Sequence, residues 1–148
     1  MEILIDYRDD IGDKSWEEDI HNACERTLVH LGMNPEDYEV SISFVGDEEI
    51  RELNNEYREK DSVTDVLSFP MEMDFPIKPM PLGDVVINLD RAKQQAEEYG
   101  HSVKRELIYL LVHSILHLNG FDHEDEEDKA EMRLSEEAIM GDLDLNRG

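Results

Sequence analysis

Residues 102–119 read SVKRELIYLLVHSILHLN, with Leu107, Ile108, Leu110, Leu111, Val112, Ile115 and Leu116 spread around most of a helical wheel. A helix apolar on most of its circumference has no broad face to give to water, so it must lie at the centre of what the chain builds. The remaining segments then have to wrap it. Ile3, Leu4 and Ile5 form a short apolar run, and Val40, Ile42 and Phe44 alternate with Ser41 and Ser43. Residues 66–69 and 85–87 are two further apolar runs, which makes four expected strands. Between the last two lies PMEMDFPIKPMP, residues 70–81, with four of the chain's five prolines. Proline cannot donate to a ladder, so this segment is expected as a loop or edge excursion, either a lip over a substrate or a plain connector.

Helices are expected around these strands. Ser15 with Glu18 has the form of a capping box, opening a helix whose stripe is Trp16, Ile20, Cys24 and Leu28, with Ala23 and Leu31 alongside and Gly32 as its stop. Cys24 on that stripe reads as a buried, inert thiol, whereas His21 and His30 lie off it as surface residues. Gly46 and Asp47 open an acidic helix with Ile50, Leu53 and Asn54 inward, and Asp90 caps another that runs to Tyr99 and ends at Gly100. The stretch HEDEEDKAEMRLSEEAIM is a last amphipathic helix packing through Met132, Ala138 and Ile139, with residues 140–148 as a loose tail. The fold class is α+β, a small mixed sheet of about four strands packed on helices, with residues 1–148 as one domain.

With 148 residues and 39% hydrophobic content, the chain should bury a core without disulfides or structural metal, so a metal would need a functional reason. Its single cysteine points to a reducing compartment. The start MEILIDYRDD has no basic region before an apolar one, and no run approaches the roughly 20 apolar residues of a membrane span. A cytoplasmic protein without a membrane partner is expected.

HSILHLNGFDH, residues 113–123, carries the chemistry. His113 and His117 are four apart and share one helix face, roughly 5–6 Å apart at Cβ. Gly120 can end the helix in the left-handed conformation and turn the chain back, returning His123 toward the same point. Three imidazoles suit a zinc ion and leave a fourth tetrahedral position open, as catalytic sites do; nickel, copper or iron would also bind them. Buried histidines without a ligand would be costly to satisfy. The spacing equals that of the extended zinc-protease motif, except that Ser114 stands where those proteases place their glutamate base. Serine cannot take a proton from water near neutral pH, which weakens a peptidase reading. Asp122 either orients a ligand histidine or helps the turn.

The motif HSILHLNGFDH resembles the signature of the YbeY family, bacterial endoribonucleases that act in ribosomal RNA maturation. LNNEYREKDSVTDVLSFP (residues 53–70) and LGDVVI (residues 82–87) resemble its other motifs, in the same order. The family more often has glycine where Ser114 stands and tyrosine where Phe121 stands, and neither change touches a ligand. The resemblance implies a single-strand-specific, zinc-dependent endoribonuclease of 16S 3′-end processing and ribosome maturation. It also implies one Zn²⁺ per chain held by His113, His117 and His123, with Arg58 as a catalytic residue. By itself Arg58 would read as an exposed arginine pairing with Glu56 or Glu59, yet its planar fork suits a phosphate. Lys60 could add a point charge, and Ser68 and Thr64 are candidate substrate contacts.

Charge complicates an RNA partner. Against 38 acidic residues stand 14 basic ones, a net charge of −24, which excludes a generally basic nucleic-acid-coating protein. Residues 1–60 hold 18 acids and 6 bases, residues 124–148 hold 10 and 3, and residues 61–123 hold 10 and 5. A locally positive cleft on an acidic body is expected, its exterior docking on basic proteins of the small ribosomal subunit. Two other readings compete: a zinc hydrolase of another class, such as a peptidase with its base elsewhere, and a ribosome assembly factor whose metal is structural.

Overall fold

The computed structural model describes residues 1–8, 11–121 and 125–143. Four strands, β1 (Glu2–Tyr7), β2 (Tyr38–Val45), β3 (Val66–Pro70) and β4 (Met80–Asn88), form one sheet in the order β1-β2-β4-β3. The β1–β2 and β2–β4 pairs are parallel and β3–β4 is antiparallel, the mixed sheet expected. Among the described residues five α-helices pack around it: α1 (Glu17–His30), α2 (Asp47–Arg58), α3 (Leu89–Tyr99), α4 (Val103–Leu118) and α5 (Glu126–Asp142).

Alternation along the strands sorts the two faces. Val40, Ile42, Phe44, Val85 and Ile87 pack with Leu107, Leu111 and Ile115 of α4 and with Ile20 and Leu28 of α1 in the main core. On the other face Val45, Leu67 and Val86 meet Ile50 of α2 in a smaller cluster flanked by Leu53 and Phe69. Helix α4 is fully buried along most of its length, as its composition demands. Cys24 is completely buried, and desolvation pushes its thiol pKa up, consistent with an inert group.

Several local expectations are corrected. Ser15 and Glu18 do not form a capping box: α1 starts at Glu17 after a short 3₁₀ turn over Lys14–Trp16, and it is Asp13 that caps that turn by accepting from the Ser15 amide. Asn88, not Asp90, caps α3, accepting from the amides of Asp90 and Arg91. Asp90 instead accepts from the Asp47 amide and closes the start of α2, 43 residues away in sequence. The proline-rich segment is shorter as a loop than its composition suggests, because β4 begins at Met80 and includes Pro81. Pro81 lies where the β2–β4 register shifts between Glu39 and Ser41, an irregularity that accommodates its missing donor. In α5 Ala138 is exposed while Glu136 and Met140 are buried, so the helix runs past the expected start of the tail. Residues 144–148 of that tail lie outside the described residues.

Asn88 ties the elements around the site together. It is fully buried, and its amide donates to Asp47 Oδ1 at 2.7 Å and to the Thr64 carbonyl at 3.1 Å. One side chain thereby joins the end of β4, the starts of α2 and α3, and the segment leading into β3.

Candidate active site

Strand β3 is an edge strand, and its alternation sends neighbouring side chains to opposite faces. Ser68 points to the α4 side, where its hydroxyl lies 2.5 Å from that of Ser114. Phe69 points to the α2 side, where Tyr57 meets its ring edge-on at 5.5 Å between centroids. Arg58, the last residue of α2, reaches this edge and engages both residues. Its Nη2 donates to the Ser68 carbonyl, and its guanidinium lies 5.2 Å from the Phe69 ring centroid. A cation over an aromatic face and a bond to a fixed carbonyl together restrict a side chain that would otherwise sample many rotamers.

Beside this edge a cleft of about 380 Å³ is lined by Asn54, Arg58, Lys60, Thr64, His113 and His117, among others. The turn into it is built from α2. Glu59 takes the left-handed conformation at φ 57°, the Lys60 amide returns to the Asn54 carbonyl, and buried Asn54 donates to the Ser62 carbonyl at 3.0 Å. Lys60 is exposed at the rim, and Ser68 lines the cleft with its hydroxyl engaged by Ser114.

The two helical histidines line this cleft together, each with its Nδ1 tied back. His113 Nδ1 is 2.8 Å from Oε2 of Glu136 on α5, and His117 Nδ1 is 2.9 Å from the Phe121 carbonyl. Gly120 produces the second contact. At φ 96° it ends α4, and the amides of Gly120 and Phe121 fold back onto the carbonyls of His117 and Leu116. A carbonyl or carboxylate oxygen accepts, so each Nδ1 carries a hydrogen, and in a neutral ring the lone pair then falls on Nε2. That is the tautomer a metal-ligating histidine adopts, and the donor set of this pair fits a zinc ion. The expected third ligand, His123, and the expected supporting residue, Asp122, lie outside the described residues. Among the described residues no group of three His, Cys, Asp or Glu side chains is arranged to hold a metal.

Sequence reasoning missed Glu136, Ser114 as the partner of Ser68, and Phe69 beneath Arg58. For Glu136 a signal existed. It lies four residues after Met132, three before Ile139 and four before Met140, on the buried stripe of a helix otherwise crowded with exposed acids.

Comparison with known proteins agrees with this fold. A family model described as endoribonuclease YbeY matches residues 4–144. A protein of that name from Finegoldia magna is 52% identical over 113 residues, covering 76% of this chain and 74% of the relative. Another from Caldanaerobacter subterraneus subsp. tengcongensis is 46% identical over 159 aligned positions, covering 99% and 100%. A solution structure of a protein from Thermotoga maritima superposes with a TM-score of 0.60 at 27% identity, covering 96% of this chain and 91% of that one. Matched over nearly its whole length by the family model and by full-length relatives, the chain belongs to the endoribonuclease YbeY family.

Proposed function

We propose that the cleft cuts single-stranded RNA by zinc-dependent hydrolysis during ribosomal RNA maturation, at the 3′ end of 16S RNA. His113, His117 and His123 would hold the metal, and Arg58 would grip the scissile phosphate. The observation that carries the reading is the shared cleft: a guanidinium held on one wall and two imidazoles, each with its Nδ1 against an oxygen, on another. When bound, zinc supplies Lewis acidity and activates water near neutral pH. Arg58 supplies a preoriented planar fork for phosphoryl oxygens, where negative charge grows during cleavage. Lys60 at the rim adds a point charge for an adjoining phosphate. A peptidase reading is disfavoured by Ser114, which is fully buried and bonded to Ser68 at the position where those enzymes carry their base.

The acidic exterior fits delivery by basic proteins of the small ribosomal subunit, in the cytoplasm where ribosomes are assembled. Among the described residues no helix is long and apolar enough to cross a membrane. The test is cleavage of a single-stranded RNA and its duplex by zinc-loaded and chelated protein, with assembled small subunits as a second substrate. Cleavage of the single strand alone, lost on chelation, is the expected result. Equal cleavage after chelation refutes the metal mechanism, and equal efficiency on free RNA and subunits refutes the docking role.

A further inference from the structure

The Glu136 carboxylate stands out because it is buried on the packing stripe of α5. Glu136 is 5% exposed and sits on the stripe through which α5 packs, among Met132, Ile139 and Met140. Burying a carboxylate is expensive unless it is hydrogen-bonded and paired. Its bond is to His113 Nδ1 at 2.8 Å, across 23 residues of sequence and between two helices. On the preceding helical turn Tyr109 stacks beside the same ring, with centroids 6.4 Å apart and planes at 28°. The His113 ring is therefore held both at its edge and along its face.

The two cleft histidines are held differently. His117 is oriented by a backbone carbonyl, which any residue at position 121 would supply. His113 depends on a side chain, and that side chain belongs to the helix that follows the 113–123 motif. We propose that Glu136 is a positioning residue that fixes the His113 proton on Nδ1 and so sets how tightly the cleft holds a divalent metal ion. This rests on the reading of the histidines as a metal site. A carboxylate oxygen is a stronger acceptor for the Nδ1 hydrogen than a backbone carbonyl and makes Nε2 the better donor. It also ties metal affinity to the seating of α5 on α4.

The test uses the full chain with ¹⁵N-labelled histidine, as wild type, Glu136→Gln and Glu136→Leu. NMR of the metal-free proteins in mildly alkaline solution reads the tautomers of His113 and His117 directly. Competition with a chromogenic chelator reads zinc affinity, and circular dichroism checks helicity. In wild type both rings should be Nδ1-protonated. Glu136→Leu, whose side chain suits the apolar stripe, should move the His113 proton toward Nε2, leave His117 unchanged, and weaken zinc binding about 10–100-fold. Glu136→Gln, which keeps an acceptor oxygen, should lose less, and it decides the matter if the leucine variant does not fold. A His113 ring that keeps its tautomer, or an unchanged affinity in a folded variant, overturns the proposal. Absence of zinc binding by wild type refutes the metal reading itself, and the tautomer measurement separates that failure from a failure of Glu136 to orient the ring.

Discussion

Arg58 shows what an edge strand can do for one side chain. The carbonyl of Ser68 and the ring of Phe69 belong to adjacent residues of β3, and Arg58 contacts both. A lysine at position 58 would keep the charge but lose the planar fork and its stacking. Arg58→Lys should therefore reduce RNA cleavage about 10–100-fold while changing unfolding free energy by about 1 kcal/mol or less, because the side chain is exposed. Kinetics beside urea denaturation separates the two effects. A second residue-scale effect concerns pH. The Tyr7 hydroxyl donates to Glu17 at 3.0 Å, and burial first, then that bond and the Glu17 charge, raise its pKa from 10.0 to about 12. A raised folded-state pKa means stability that is complete below pH 10 and lost as pH climbs toward 12. Tyr7→Phe should cost about 1 kcal/mol at neutral pH through the lost bond and flatten the alkaline decline, as chemical denaturation across pH 8–12 would show.

The β3–β4 hairpin is the element on which the arginine wall of the cleft depends. Gly83 sits in β4 at φ 143°, and a Cβ there would run into the Phe69 carbonyl and the Pro70 Cα of β3. Gly83→Ala should destabilise the protein by about 3 kcal/mol or more and reduce activity in step, since the clash falls beside the carbonyl-and-ring clamp of Arg58. Thermal unfolding with a parallel cleavage assay reads both. Element identity was legible in the sequence wherever periodicity was strong, as in α4, the β2 alternation, and the helix stops at Gly100 and Gly120. Caps were less legible, because they are settled by tertiary neighbours. Asp90 closes α2 rather than its own helix, and Asn88, just past the expected strand, bonds to three other segments. The histidine pair was legible because helical spacing alone places both rings on one face. For Glu136 the spacing carried only its place on the buried stripe; its bond to His113 depends on how α5 lies against α4.

At the scale of the whole molecule, a net charge of −24 surrounds a cleft whose described lining offers Arg58, Lys60 and two imidazoles. Such a body neutralises few phosphates and repels the rest of a polyanion. The logarithm of kcat/KM on free single-stranded RNA should fall with the logarithm of salt concentration with a slope no steeper than about −1.5, corresponding to roughly two phosphates engaged. A much steeper slope would mean an extended basic track that the surface charge does not support. The central claim is that the histidine pair and Arg58 form one catalytic site with separable duties. Its most direct test measures bound zinc and RNA cleavage together in wild type, His117→Ala and Arg58→Ala, all purified identically. His117→Ala should lose metal and cleavage together, while Arg58→Ala should keep its zinc and its fold but lose cleavage at least about 100-fold. Cleavage by Arg58→Ala at the wild-type rate, or by His117→Ala without metal, would contradict it.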